Sequence, residues 1–313
     1  MPSPQNLLQK LVSLGERQGA TEAAALELIR TFLANAGITS EVTTFTVTLP
    51  VERSAVLTID GKTAPCAATS FASGVIPDKE IVISSAMPMA LSPDLPNINI
   101  NPYCPVISKG NHYRKPAIAV SHEVLDRILR GKNVRAEIEV DLVEAEAHNI
   151  LVGNAENPRT IVFTHFDSIG PGANDNATGT ATVCDVLARS PQLMDGTLFV
   201  ISGSEELSTD LPYYWGAGYR RFQEQYGARM RSAEKILVVD SVGCGTITPI
   251  TDARTIRRAF PVTDMDAVID KIQLIAGNLE GLMPVYHSAA DTLDRVEDAS
   301  LAQAARLLEE CCA

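Results

Sequence analysis

The sequence predicts an α/β fold, a three-layer sandwich around a mostly parallel or mixed sheet, with a small β-rich module inserted near the front. Three observations predict it. From Ala147 onward short apolar runs alternate with helical periodicity; several of those runs end in an acid or a histidine; and between about Pro50 and Leu142 the pattern changes to brief β-like stretches.

In chain order, residues 4–36 read as two helices. The second is Thr21-Glu-Ala-Ala-Ala-Leu-Glu-Leu-Ile-Arg-Thr-Phe-Leu-Ala-Asn-Ala-Gly37, with Thr21 as its N-cap and Gly37 at its stop. An alternating strand, Glu41–Leu49, follows. Residues 50–142 form the insert, in which Ala55–Ile59, Glu80–Ser84, Ala117–Val120 and Val134–Val140 surround a proline-rich loop, Met87–Pro96. The main domain is then 1–49 together with 143–313. In its second part, Asn149–Val152, Thr160–Thr164, Thr197–Ser202 and Lys235–Val239 read as strands, and Asn176–Ser190 and Tyr213–Arg229 as helices. Asp266–Ile275 reads as a helix or a helix running into a strand, and Val296–Cys311 is the closing helix.

Composition excludes several classes of function. The formal charge is −12, from 38 acidic against 26 basic residues, and no Lys/Arg-rich stretch is present to track a phosphate backbone, so nucleic acid is not an expected partner. No apolar run reaches the roughly 20 residues of a bilayer span, and the first residues lack a signal-peptide pattern, which predicts a cytoplasmic protein without membrane contact. Six cysteines without a C-x-x-C pair read as reduced structural thiols. A homo-oligomer is left open.

The chemistry lies in His165, Asp167, Asp175, Glu205, Glu206, Asp240 and His287. His165 follows Thr160–Thr164, Glu205 comes shortly after Thr197–Ile201, and Asp240 follows Lys235–Val239, all at strand ends, where ligands of open α/β sheets collect. Imidazole nitrogen with carboxylate oxygen is a zinc donor set, and a hydrolytic metal pair needs a carboxylate that bridges. Two residues apart on an extended segment, His165 and Asp167 point to one side, so Asp167 orients the histidine. Asp175, in the glycine-rich loop 170–179, is the candidate bridge. At a strand-to-loop bend, Glu205 and Glu206 can reach one cavity and divide into a general base and a ligand. Singly, each residue has an ordinary reading as a cap, a turn or a hydrogen-bonded histidine. Jointly, an ordered set of ligand types at strand ends favours a metal site.

Other features keep ordinary readings. His112, His122 and His148 stand outside the ordered pattern and read as surface or packing residues. Ser168, Ser202, Ser204 and Ser241 lack a G-x-S-x-G frame, and Cys244 lacks a histidine partner. Tyr213-Tyr-Trp215 reads as packing.

Five motifs in order, Thr164-His-Phe-Asp-Ser168, Gly172-Ala-Asn-Asp-Asn-Ala-Thr-Gly179, Gly203-Ser-Glu-Glu-Leu207, Val239-Asp-Ser241 and Tyr286-His-Ser-Ala-Ala-Asp-Thr292, resemble the co-catalytic dizinc aminopeptidases, the bacterial leucyl-type zinc enzymes with a protease-associated insert. Leu14-Gly-Glu-Arg-Gln-Gly-Ala-Thr21 is similar to that family's opening helix-turn-helix, and Lys115–Leu125 to a piece of a protease-associated domain. The resemblance implies a zinc exopeptidase fold and two Zn²⁺ ions, with other divalent metals admitted by the same donors. It further implies His165 and Asp240 on one ion, Glu206 and His287 on the other, Asp175 between them, Glu205 as general base, Asp167 behind His165 and Tyr286 as oxyanion donor. The implied activity is removal of N-terminal residues from peptides with a free amine. Alternatives on the same scaffold are a single-zinc acyl transferase of the glutaminyl cyclase type and a carboxypeptidase or dipeptidase, for which Arg220, Arg221 and Arg257 are candidate carboxylate clamps. A silent binding protein is the non-enzyme alternative. Leu207–Pro212 and Leu274–Gly281 depart from the family pattern and bear on side-chain preference.

Overall fold

A computed structural model describes residues 3–87 and 94–313, so the centre of the proline-rich loop, residues 88–93, and the first two residues of the N-terminus lie outside the described residues. Two helices open the chain, α1 (Pro4–Ser13) and α2 (Ala20–Asn35), before the long strand β1 (Glu41–Ile59). Short strands β2 (Lys62–Ala64), β3 (Ala67–Ala68), β4 (Gly74–Ile76), β5 (Val82–Ser84), β6 (Asn97–Ile100) and β7 (Ala117–Ala119) lead to α3 (His122–Arg130) and a second long strand, β8 (Val134–Gly153). Next come β9 (Thr160–His165), α4 (Thr178–Arg189), β10 (Thr197–Ser202), α5 (Ala217–Ser232) and β11 (Lys235–Val239). The remainder is β12 (Thr248–Ile250), α6 (Ala253–Ala259), β13 (Ile272–Ala276), α7 (Leu279–Leu282) and α8 (Asp298–Cys312).

The described strands build a mixed sheet in the order β12-β13-β11-β9-β10-β8-β1-β2, with β4 on a further stretch of β8. Its centre, β13-β11-β9-β10, is parallel, and antiparallel strands extend it on both sides. Strands β9 and β10 are buried along their whole length, which explains why they read as unbroken apolar runs. Alternate residues serve the two faces. Val162, Phe199, Ile201 and Val239 pack under α1, α2, α4 and α8, whereas Ile161, Phe163, Val200 and Val238 pack under α5 and α6. The three-layer sandwich is thus present.

Strands β1 and β8 form one antiparallel ribbon, in which residues 50 and 142, where the sequence pattern changes, sit opposite each other in mid-ladder. At its far end the ribbon joins the small sheet β3-β7-β6-β5 and α3 around a separate core that includes Leu57, Ile98, Ile118, Val124 and Ile128. Helix α3, strand β6 and helix α6 were not expected from the sequence. Several boundaries also differ. Thr21 does not cap α2: Gly19, at φ +55°, is the N-cap, and Thr21 lies inside the first turn. Gly37 takes the left-handed stop as expected, at φ +73°. Helix α5 begins at Ala217 rather than Tyr213 because Gly216, at φ +77°, turns the chain there. Residues 266–275 form two 3₁₀ turns and then β13, the helix-into-strand alternative. No described helix is long and apolar enough to cross a membrane, and all six cysteines are unpaired thiols.

Candidate metal centre

The parallel strands deliver the donors. His165 is the last residue of β9, Asp240 directly follows β11, and Glu205 and Glu206 lie in the bend just past β10. Asp175 and His287 come from loops that close over these strand ends. All seven residues singled out from the sequence converge here, and Tyr286 lies alongside with its ring stacked on the His287 imidazole at 3.7 Å between centroids.

The donors form a ladder. Asp240 Oδ1 is 3.6 Å from His165 Nε2, which is 3.4 Å from Asp175 Oδ1. The other oxygen of Asp175 is 3.5 Å from His287 Nε2, which is 2.9 Å from Glu206 Oε2. Donors that share one zinc at about 2.0–2.2 Å and tetrahedral angles stand roughly 3.3–3.6 Å apart, so three of these four separations match edges of a coordination polyhedron and the fourth is slightly short. His287 Nε2 and Glu206 Oε1 are buried without a hydrogen-bond partner among the described residues, although acids and imidazoles face each other. Such unmet buried polar atoms call for a further group between them. The residues present therefore fit zinc, and His165, Asp175 and Glu206 alone bring donor atoms within 4.8 Å of one another.

Electrostatics point the same way. Burial pushes the Glu206 carboxyl up to about 7, and burial together with the neighbouring Glu206, Asp167 and Asp240 carboxylates pushes Glu205 well above the usual range against the opposing pull of His165. Burial disfavours a charged His287, yet Glu206 and Asp175 outweigh it and hold the ring up at about 10. For His165 burial is likewise opposed, by Tyr219, Asp167, Asp175 and Asp240, and its affinity for a proton is raised. Protons are drawn to where cations belong.

Around the donors lies a scaffold that the sequence reading did not assign. Asp167 does more than face His165 Nδ1 at 3.4 Å, since its two oxygens accept the backbone N–H groups of Glu205 and Glu206 at 2.9 Å each. Asp291, four residues past His287, accepts the N–H groups of Asn174 and Asp175 at 2.9 and 3.0 Å. Asn176 joins two strand ends by donating to Thr164 Oγ1 and to the Val239 carbonyl, while its oxygen accepts from Gly179 and Ser241. A side chain at Gly179 would put its Cβ 2.3 Å from that oxygen, so glycine is required there. The buried Arg17 guanidinium donates to the carbonyls of Phe166, Pro171 and Gly172, fixing the loop that leads to Asp175. Residues between 50 and 142 take part as well. Lys109 N–H donates to the His287 carbonyl at 2.8 Å, His287 Nδ1 donates to the Lys109 carbonyl at 3.3 Å, and Ser108 Oγ donates to the Tyr286 carbonyl at 2.7 Å. With Nδ1 so engaged, a neutral His287 presents a bare Nε2 to Glu206 and Asp175.

Three non-glycine residues at the site adopt left-handed backbone: Ser204 before the glutamate pair, Ser241 after Asp240, and His287 itself, at φ +48°, +51° and +48°. Strain of this kind concentrates at functional sites. Asp291→Ala is expected to leave two buried amides unpaired, lowering stability by about 2–4 kcal/mol and zinc affinity by roughly 10–100-fold. Thermal unfolding and a competitive zinc chelator read the two effects; an unchanged zinc affinity would refute the positioning role.

The remaining candidates have structural roles. Ser168, Ser202, Ser204 and Ser241 donate to Gly170 O, Asn149 Oδ1, Leu207 O and Asp240 Oδ1 respectively. Burial raises the Cys244 thiol, which makes it a poor nucleophile. His122 bonds the Asn101 carbonyl, His148 stands 3.8 Å from the buried Glu22, and His112 packs edge-on to Tyr214. Tyr213 and Tyr214 pack with Trp215, as expected, but Trp215 also lines the cleft beside the donors. This cleft, of about 370 Å³, has an apolar wall that includes Ile250, Leu274, Leu279 and Leu282.

The fold is of the zinc exopeptidase-like α/β type, and the donor set fits zinc. Comparison with known proteins makes it more specific: the model of Peptidase family M28 matches residues 147–218, the stretch that carries His165, Asp167, Asp175, Glu205 and Glu206. The resemblance drawn from the motifs is borne out, and its coarse reading is a zinc peptidase. No curated protein matches the sequence. Among solved structures, a zinc aminopeptidase from Bacillus subtilis superposes with a TM-score of 0.67 at 15% identity, over 98% of this chain and 93% of that one. A Peptidase M28 precursor from Shewanella amazonensis gives 0.67 at 14% identity, over 99% and 92%. A glutaminyl cyclase from Porphyromonas gingivalis gives 0.53 at 13% identity, over 99% and 96%. At these identities the likeness is one of fold.

Proposed function

We propose that the protein is an aminopeptidase, with His165 and Asp240 holding one zinc, Glu206 and His287 a second, and Asp175 bridging them. The observation that carries this reading is the placement of Asp175, which offers Oδ1 to His165 and Oδ2 to His287 and so faces two donor sets at once. Bound zinc supplies a water of lowered pKa and polarises the scissile carbonyl. Glu205 lines the cleft with no hydrogen bond to its carboxylate among the described residues, and its burial raises its affinity for a proton. It takes the proton of the attacking water and delivers it to the leaving amine. The Tyr286 hydroxyl donates to the oxygen that gains charge. The substrate's free amine sits against the acidic end of the cleft, and its side chain against the apolar wall.

The test is release of N-terminal residues from aminoacyl anilides and peptides, with an N-acetylated peptide as control and zinc counted per chain. Two zinc ions per chain, cleavage of the free-amine substrates and resistance of the acetylated one are expected. The rival reading, a single-zinc glutaminyl cyclase, draws on neighbours of that name in the same fold. One zinc per chain with cyclisation of N-terminal glutamine would replace the aminopeptidase by that enzyme.

A further inference from the structure

The arginines that the sequence offers as carboxylate clamps are engaged elsewhere. Arg220 pairs with Asp210 at 3.5 Å and donates to the Tyr213 carbonyl, Arg221 pairs with Asp210 at 3.1 Å and Glu224 at 2.9 Å, and Arg257 pairs with Asp266. Arg258 differs from all three. It is exposed, and among the described residues its guanidinium has no ion pair or hydrogen bond. On α6 it lies one turn after Thr255, on the same face, and Thr255, Arg258 and Ala259 all line the metal cleft. Its backbone carbonyl accepts the Trp215 indole N–H at 2.8 Å, which ties this turn of the helix to the cleft wall.

Arg258 also lines an adjoining cavity of about 640 Å³ that extends to Ala86 and Tyr103 of the insert. It therefore stands where the two cavities meet. It is the one lysine or arginine among the described lining residues of the cleft, and unlike Asp175, Glu205, Glu206 and Asp240, which line the cleft alone, it also lines the adjoining cavity. A cleft that is acidic at the metal end and cationic at the junction orients a ligand with an amine at one end and a carboxylate at the other. The apolar wall of the same cleft suits an uncharged side chain.

We propose that Arg258 binds a carboxylate of the substrate beyond the scissile bond, so that the enzyme favours short peptides carrying a negative charge on the leaving side. This rests on the aminopeptidase reading for the direction in which the peptide lies. The carboxylate is either the C-terminus of a dipeptide or an acidic side chain at its second residue. Because Arg258 is solvated, its contribution is bounded, and a three- to tenfold preference is the expected scale, roughly that of a well-placed exposed ion pair or charge-assisted hydrogen bond.

Binding is measured by calorimetry on the zinc-loaded protein with three dipeptides whose scissile amide is reduced to CH₂–NH: one with a free terminal carboxylate, its terminal amide, and that amide with aspartate as second residue. Either carboxylate ligand is expected to bind about three- to tenfold tighter than the plain amide, and the tighter of the two identifies the source of the charge. R258A abolishes the preference, R258K keeps part of it, and neither changes the melting temperature. Equal binding of all three ligands, or a preference that survives R258A, overturns the proposal. No bond is cleaved, so the outcomes separate. An Arg258-dependent preference in a protein that releases no N-terminal residue overturns only the aminopeptidase reading, while failure of every ligand to bind overturns both.

Discussion

Glu205→Gln is expected to lower kcat by about 10²–10⁴-fold while zinc content and fold are kept. Glutamine preserves the size of the side chain and removes its ability to carry a proton. The substitution also tests the electrostatics. Burial raises the proton affinity of Glu205 in the metal-free cluster, so the stability it contributes is fully present below the ordinary carboxylate pKa and is lost as pH rises through its elevated folded value. A neutral glutamine does not suffer that loss. At neutral pH the metal-free variant is therefore expected to melt no lower than the metal-free wild type. Steady-state kinetics, metal analysis and thermal unfolding check the three parts, and turnover at the wild-type rate would dismiss Glu205 as the base.

Removing the metal is expected to abolish turnover and to lower the melting temperature by roughly 5–10 °C, with both restored by zinc. Without a cation, Asp175, Glu205, Glu206 and Asp240 crowd one pocket, three of them buried, with the imidazoles of His165 and His287 in contact and the buried Arg17 guanidinium near Asp175 and Glu206 as partial compensation. A ligand present at about 1,000 times its Kd stabilises the folded state by about 4 kcal/mol, and for a chain of this size each kcal/mol moves the midpoint by about 2 °C. The donors must be deprotonated to bind, so zinc affinity should fall as the medium is acidified. Scanning calorimetry with and without a chelator reads the shift. A midpoint indifferent to zinc would show that the ladder of donors does not hold it.

What the sequence revealed and what it concealed follow from range. Strands buried on both faces are continuous apolar runs, and the donors come at or just after their ends, so His165, Glu205, Glu206 and Asp240 could be found by local pattern. Arg17 and Asp291 act through backbone groups 149 and 116 residues away, and no local pattern announces such contacts. Asn176 reads from the sequence as the first residue of a helix; its four bonds to separate elements are visible only once β9, α4 and β11 are side by side. Thr21 has the capping preference, but a left-handed Gly19 has already turned the chain two residues earlier. The strand that the sequence predicts over Glu41–Leu49 and the separate run over Ala55–Ile59 are one strand, β1, continuous through Pro50. Its second neighbour, β2, pairs only with Leu57–Ile59, so at Pro50 the strand is an edge that tolerates the missing amide.

The ribbon of β1 and β8 makes the insert inseparable from the chemistry. A cut at residues 50 and 142 would pass through two strands in mid-ladder and take away Ser108 and Lys109, whose backbone and hydroxyl grip the loop of His287. Although it has a core of its own, the segment is no detachable accessory. A shortened chain lacking it would keep every donor and lose the frame of one of them, so any attempt at a minimal version of this protein has to retain residues 50–142 or rebuild the grip on His287 from elsewhere.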